Sequence, residues 1–112
     1  MRLQRKSTSR LSSALVAAAM VIAWPAIAES GDRAARLTDF VRQDCGSCHG
    51  MTLKGGLGSP LQPQDIAHLE AAGIAQIILD GIPGKPMPPW RGLISEADAQ
   101  WIAERLKEGF PQ

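Results

Sequence analysis

A chain of 112 residues holds one small domain at most, which excludes a doubly wound sheet, a TIM barrel or a two-domain enzyme. Its 12 Lys and Arg against 11 Asp and Glu give a net charge of +1, but four of the basic residues sit in the first ten positions. Removing residues 1–28 leaves 84 residues with 8 basic and 11 acidic side chains, a net charge of −3, which argues against a nucleic-acid partner because a phosphate binder needs a basic face.

The reason for removing them lies in their pattern. Arg2, Arg5, Lys6 and Arg10 precede an apolar run, Leu11–Trp24, and Ala26-Ile27-Ala28 ends the stretch in a small-x-small site before Glu29. A basic start, a short apolar core and an A-x-A end form a secretory signal peptide, so residues 1–28 are expected to be cleaved and residues 29–112 to be exported to the periplasm. The apolar run falls short of the roughly 20 residues that cross a bilayer, so the mature chain is expected to lack a membrane anchor, with an uncleaved anchor as the rival reading.

The spacing of Leu37, Phe40, Val41 and Asp44/Cys45 predicts a helix over Asp32–Cys45, with Pro25 breaking any helix before it. Both cysteines then fall in one pentapeptide, Cys45-Gly46-Ser47-Cys48-His49. A disulfide between them would close a tiny loop and hardly constrain the unfolded chain. A dithiol redox pair needs a preceding strand and a βαβ context, neither of which is legible here. Zinc lacks a second ligand pair, because His68 is the only other histidine and no third cysteine exists. Covalent attachment of a c-type haem uses all three side chains: each thiol of Cys45 and Cys48 forms a thioether with one vinyl group, and His49 turns its imidazole onto the iron. A covalent haem also supplies the apolar plate that a chain of this size lacks as a core.

Residues 50–60 read as a glycine-rich loop, suited either to close backbone approach or to simple flexibility. Short helices are expected over Gln64–Ala71 and Ile74–Asp80, the second stopped by Gly81, with Ile74, Ile77 and Ile78 on one face. Four prolines among residues 83–89 forbid helix and central strand in the next segment. The last helix spans Glu96–Glu108, capped by Ser95 with Asp98 three residues on, presents Trp101, Ile102, Arg105 and Leu106 on one face, and ends at Gly109. Phe40 and Trp101 are expected to join the first and last helices. The class is all-α: three to five short helices with long loops wrapped around one covalent haem.

The second axial ligand has three candidates. Met51 is only two residues from His49 and cannot reach the opposite haem face; His68 reads as a solvent-facing histidine. Met87 stands 38 residues beyond His49, between Pro86 and Pro88, which restrict the backbone before any metal is bound. Its alternative role is core filler. With His49 and Met87 both on the iron, no site is left for substrate, and the protein carries one electron and performs no bond chemistry; an open sixth position would instead make it a five-coordinate haem sensor or a peroxidase-like enzyme. The carbonyl of Pro60 is placed to receive the other imidazole N–H of His49. Trp90 packs either on the haem edge or as a satellite core aromatic. Met51, Leu53, Leu57, Pro88 and Trp90 make up a candidate apolar patch around the haem edge, with Lys54 and Lys85 as candidate rim charges. The net −3 favours partners with a basic docking surface.

These residues resemble the class I monohaem cytochromes c: Cys45-Gly-Ser-Cys48-His49-Gly50, then Gly58-Ser-Pro60-Leu61, then Pro83-Gly-Lys-Pro-Met87-Pro-Pro-Trp90. The resemblance runs over about Thr38–Leu106 and implies the cytochrome c fold, with N- and C-terminal helices crossing, one haem c in the cleft, the Pro60 carbonyl on His49 and Met87 as sixth ligand. The stretches CGSCHGMTLKGGLGSPL and PGKPMPPWRGLISEADAQWI are similar to small periplasmic cytochromes of denitrification gene clusters that contain the haem-d nitrite reductase. That likeness implies periplasmic redox partners, namely the reductase itself and an upstream cytochrome donor, or a part in completing the haem d cofactor.

Overall fold

The computed structural model describes residues 24–110, and among these every regular element is helical. Helix α1 spans Trp24–Phe40, continues through a π-helical turn over Val41–Cys45 and ends in the single turn α2, Gly46–His49. Helix α3 spans Ala71–Asp80 and α4 spans Glu96–Glu108. Most of the expected signal peptide lies outside the described residues; its last five residues, 24–28, belong to α1. Pro25 stands in the first described turn of α1, and the helix it is expected to break lies before it, outside the described residues.

One apolar cluster holds these elements together. Leu37 and Val41 from the first helical stretch join Ile74, Ala75, Ile78 and Leu79 of α3 and Ala99, Ile102, Ala103 and Leu106 of α4, all buried. The α4 face thus turns by one position from the expected one: Ala99 and Ala103 are inside, while Trp101 and Arg105 flank the core and meet each other, the guanidinium carbon 5.9 Å from the ring centre. The expected Phe40–Trp101 contact does not form. Phe40 meets Trp90 edge to face, centroids 5.2 Å apart, and Trp101 meets Phe110 in the same manner at 6.5 Å. Phe40 and Trp101 thus find other ring partners, and Leu37 and Val41 take the core positions on the first helix.

Between α2 and α3 the chain forms successive turns in place of the expected Gln64–Ala71 helix. The Asp65 carboxylate accepts from the Gln62 N–H at 3.2 Å. The Lys107 ammonium donates to the carbonyls of Ala67 and Leu69, and the first is a group that a helix here would need for its own ladder. Ile66, buried, anchors the segment. Helix α3 then starts earlier than expected, at Ala71, with Gly73 in its first turn, and Ile77 lies at its exposed edge.

The start of α4 is the most fully specified terminus. Ser95 Oγ accepts from the Asp98 N–H and Asp98 Oδ2 accepts from the Ser95 N–H, both at 3.1 Å. Asp98 also takes Arg33 Nε at 2.8 Å, tying α1 to α4. Partial burial works against the charged Asp98, but the Ser95 bonds and Arg33 outweigh it and hold the carboxyl below its usual range. A depressed folded pKa contributes stability that is present above the unfolded value and lost as pH falls through the folded one. Denaturant unfolding of Ser95→Ala is expected to show a loss of about 1 kcal/mol at neutral pH. In Asp98→Asn the decline of stability below about pH 4 is expected to be shallower than in the parent.

Candidate functional site

Both thiols of the chain stand on the last two turns of the first helical stretch. Cys45 closes the π-helical turn half-buried against the core cluster; Cys48 on α2 is exposed; His49 is the last residue of α2. The π turn explains how one helix presents them. In a straight α-helix Asp44 and Cys48 would follow Leu37 and Val41 onto the same stripe, driving a carboxylate into the core and aiming Cys48 away from solvent. The Gly46 N–H instead reaches back five residues to the Val41 carbonyl. A π turn uses one extra residue, so everything beyond it lags by about 100°. Cys45 moves onto the stripe, Asp44 and Cys48 move off it, and both of the latter are exposed. The ambiguity between Asp44 and Cys45 in the periodicity is thereby resolved, and the carboxylate on an apolar stripe is the signal that betrays the turn.

Burial, followed by the neighbouring Asp44 charge, pushes the Cys45 thiol up to about 11. A dithiol redox catalyst needs the opposite, a thiol pulled down into the thiolate range.

The 50–61 loop folds back onto this helix end. Gly55 N–H donates to the His49 carbonyl at 2.8 Å and Gly58 N–H to the Cys48 carbonyl at 2.7 Å. The return brings a backbone carbonyl to His49 Nδ1 at 2.7 Å, and that carbonyl belongs to Ser59, not to Pro60 as expected. With Gly58 bonded to Cys48, the next carbonyl along is the one that meets the ring; Pro60 packs its own ring near Gly55, within about 3.5 Å of where a Cβ on that glycine would stand. Gly58 is a close-approach position: a Cβ there would lie 2.8 Å from His49 Nδ1. The glycines are therefore packing elements and not mere slack. With Nδ1 engaged, the Nε2 side of the imidazole is left for a metal.

Met87 lies half-buried against the same core cluster, as do Trp90 and Phe40. Its loop leaves α3 at Gly81, whose φ of 68° and lack of a Cβ allow the Met87 carbonyl to come within 2.6 Å of where that Cβ would be. Ile82 N–H donates to the Met87 carbonyl at 3.2 Å. The chain returns with Trp90 N–H on the Ile78 and Leu79 carbonyls and Arg91 N–H on Leu79, each 3.1 Å. Leu53 leaves the expected apolar patch, being buried at a φ of 59°, whereas Met51 and Leu57 are exposed. His68 is exposed on the 62–70 turns. Among the described residues no group of three or more His, Cys, Asp or Glu side chains is built to hold a bare metal ion.

The family model for cytochrome c oxidase, cbb3-type, subunit III matches residues 32–104. The chain belongs to the cytochrome c family. It is 45% identical over 89 residues to cytochrome c55X of Paracoccus denitrificans (strain Pd 1222), covering 78% of this chain and 86% of that protein. Its fold matches the solved c-type cytochrome NirC with a TM-score of 0.67 at 45% identity, over 69% of this chain and 91% of that one. It also matches Dihydro-heme d1 dehydrogenase NirN in complex with DHE, TM-score 0.61 at 31% identity, over 66% of this chain but 16% of that much longer one. This cytochrome is therefore an electron carrier with a covalently attached c-type haem, and its residues fit that group. Two unpaired thiols and an imidazole sharing one helix end, with a glycine cradle behind the ring, are the donor set it requires.

Three outcomes follow for the haem-loaded protein. Gly58→Ala is expected to cost about 1–3 kcal/mol in denaturant unfolding, as overpacking against His49. Deleting Gln43 converts the π turn to α-helix and keeps Cys45 on the buried stripe, so its unfolding midpoint is expected to stay near that of the parent. Inserting an Ala after Gln43 swings Cys45 off the stripe and is expected to cost more than about 3 kcal/mol in the same assay.

Proposed function

We propose that this cytochrome is a periplasmic one-electron carrier in which Cys45 and Cys48 hold the haem by thioethers and His49 and Met87 are the axial iron ligands. Bound there, the haem supplies reversible one-electron exchange between iron(III) and iron(II). The single observation that carries the reading is the way the two ligand candidates are held. Ser59 fixes the tautomer and plane of the His49 ring. Gly81, Ile82, Trp90 and Arg91 fix the backbone on either side of Met87, in a segment whose prolines have no N–H to bond elsewhere. A methionine serving as filler needs no such restraint. With both axial positions taken, the protein passes electrons and transforms no substrate; a five-coordinate sensor or peroxidase-like enzyme needs Met87 off the iron.

The relatives support a role for the carrier in denitrification. A cytochrome c55X, a NirC and a module within a dihydro-haem d1 dehydrogenase all resemble it. The proposed partners are the haem-d nitrite reductase, an upstream cytochrome donor and the proteins that complete the haem d cofactor. Export follows from the basic and apolar N-terminal pattern, and no helix among the described residues is long and apolar enough to cross a membrane. Met51, Leu57 and the rims at Lys54 and Lys85, all exposed, suit the small transient contact of a redox encounter.

In Met87→Ala, mass spectrometry under denaturing conditions is expected to show the haem still attached. The long-wavelength iron(III)–thioether absorption of the parent should vanish, and the midpoint potential should fall. A parent that lacks this band defeats the axial assignment. Deleting the gene and assaying nitrite reductase for turnover and for haem d content separates the two roles: a carrier to the reductase lowers turnover at normal haem d, and a maturation role lowers haem d itself.

A further inference from the structure

The segment that carries Met87 is a ten-residue excursion, residues 81–90, that leaves the end of α3 and comes back to it. Four of its residues are prolines and offer no N–H, so its backbone bonds are few: Ile82 N–H on the Met87 carbonyl and Lys85 N–H on the Ile82 carbonyl within it, and Gly81 and Trp90 N–H on the end of α3 at the neck. A side-chain contact closes the same neck. Asp80 is the last residue of α3 and Arg91 the first residue after the excursion. Arg91 Nε and Nη2 donate to Asp80 Oδ1 at 3.0 and 2.8 Å. Its third arm, Nη1, donates to Glu96 Oε1 at 3.0 Å, on the first residue of α4. The Gln76 amide donates to the other Asp80 oxygen, holding that carboxylate in place. One guanidinium therefore joins the exit of α3, the foot of the Met87 loop and the entry of α4.

We infer that Arg91 is a positioning residue for Met87, latching the loop shut at its neck so that the sulfur is held toward the haem iron. The inference rests on Met87 being the sixth ligand. Asp80 is held below the usual carboxylate range by Arg91 and then Gln76, and Arg91 is raised by Asp80 and then Glu96, so the latch keeps its charges at working pH. Arg91 and Asp80 are about half exposed and Glu96 mostly so, and exposed pairs contribute little to global stability. The latch acts on a smaller balance, between loop seated and loop lifted. There a modest bias appears directly as the fraction of iron open to an outside ligand.

The test is imidazole titration of the haem-loaded iron(III) protein, followed by loss of the iron–thioether band. Arg91→Gln is expected to bind imidazole about fivefold more tightly than the parent, with Arg91→Lys in between because one ammonium cannot span both carboxylates. Raising the ionic strength should move the parent toward Arg91→Gln and leave that variant unmoved. Arg105→Gln is the control: it breaks a comparably exposed pair with Glu108 at 2.7 Å on α4, away from the loop, and should bind imidazole as the parent does. The latch is overturned if Arg91→Gln matches the parent, or if Arg105→Gln gains as much. A parent without the thioether band would instead refute the Met87 assignment, an outcome read before any variant is made.

Discussion

A single helix end has to serve two masters, the protein core on one side and a porphyrin on the other. Leu37 and Val41 must stay inside, against α4, while the thiols and the imidazole that follow must point where a cofactor can reach them. A regular α-helix cannot do both with this sequence, because its period would carry Asp44 and Cys48 back onto the buried stripe. The π-helical turn at Val41–Cys45 settles the conflict by spending one extra residue. Everything that defines the site, from the half-buried Cys45 to the exposed Cys48 and the engaged His49, inherits its direction from that turn.

Both ligand-bearing loops then use the same kind of anchor. The last carbonyls of a helix have no partner within it. The 50–61 loop returns its glycine N–H groups to the carbonyls of Cys48 and His49, and the Met87 loop returns those of Trp90 and Arg91 to Ile78 and Leu79. In each case a group that must be satisfied anyway fixes the backbone beside a candidate iron ligand. Glycine sits where side chains would interfere, at Gly58 behind the imidazole and at Gly81 beneath the Met87 carbonyl. The site is thus built mainly from backbone, and its side chains are few.

That construction decides what could be read from the chain. The chemistry was legible because it is concentrated: two cysteines and a histidine in five positions, and one methionine fenced by prolines. Helix α4 was legible because Ser95 and Asp98 cap it through local bonds. The π turn was not, since periodicity assumes one helical period throughout, although Asp44 on an apolar stripe was a visible warning. The identity of the carbonyl on His49 depends on where the loop turns, and a shift of one residue, from Pro60 to Ser59, lies below the resolution of a motif. The turns over 62–70 depend on Lys107, forty residues away from Ala67 in sequence, and no local pattern announces such a partner.

The distribution of charge has a last consequence. Residues 45–60 and 81–90, the two stretches that surround the proposed haem, contain Lys54 and Lys85 and not one carboxylate. The acidic side chains lie on the helices and on the 62–70 turns, many of them exposed. The charge of the polypeptide is therefore unevenly spread, with the acidic side chains concentrated away from the two stretches that hold the proposed haem. Its total charge governs how it is attracted or repelled from afar, but a partner's field acting on an uneven distribution also applies a torque that turns the molecule before contact. Ionic strength would blunt the alignment within a Debye length of about 10 Å, so the orientation of the encounter, and not only its frequency, is set by the salt in which the protein works.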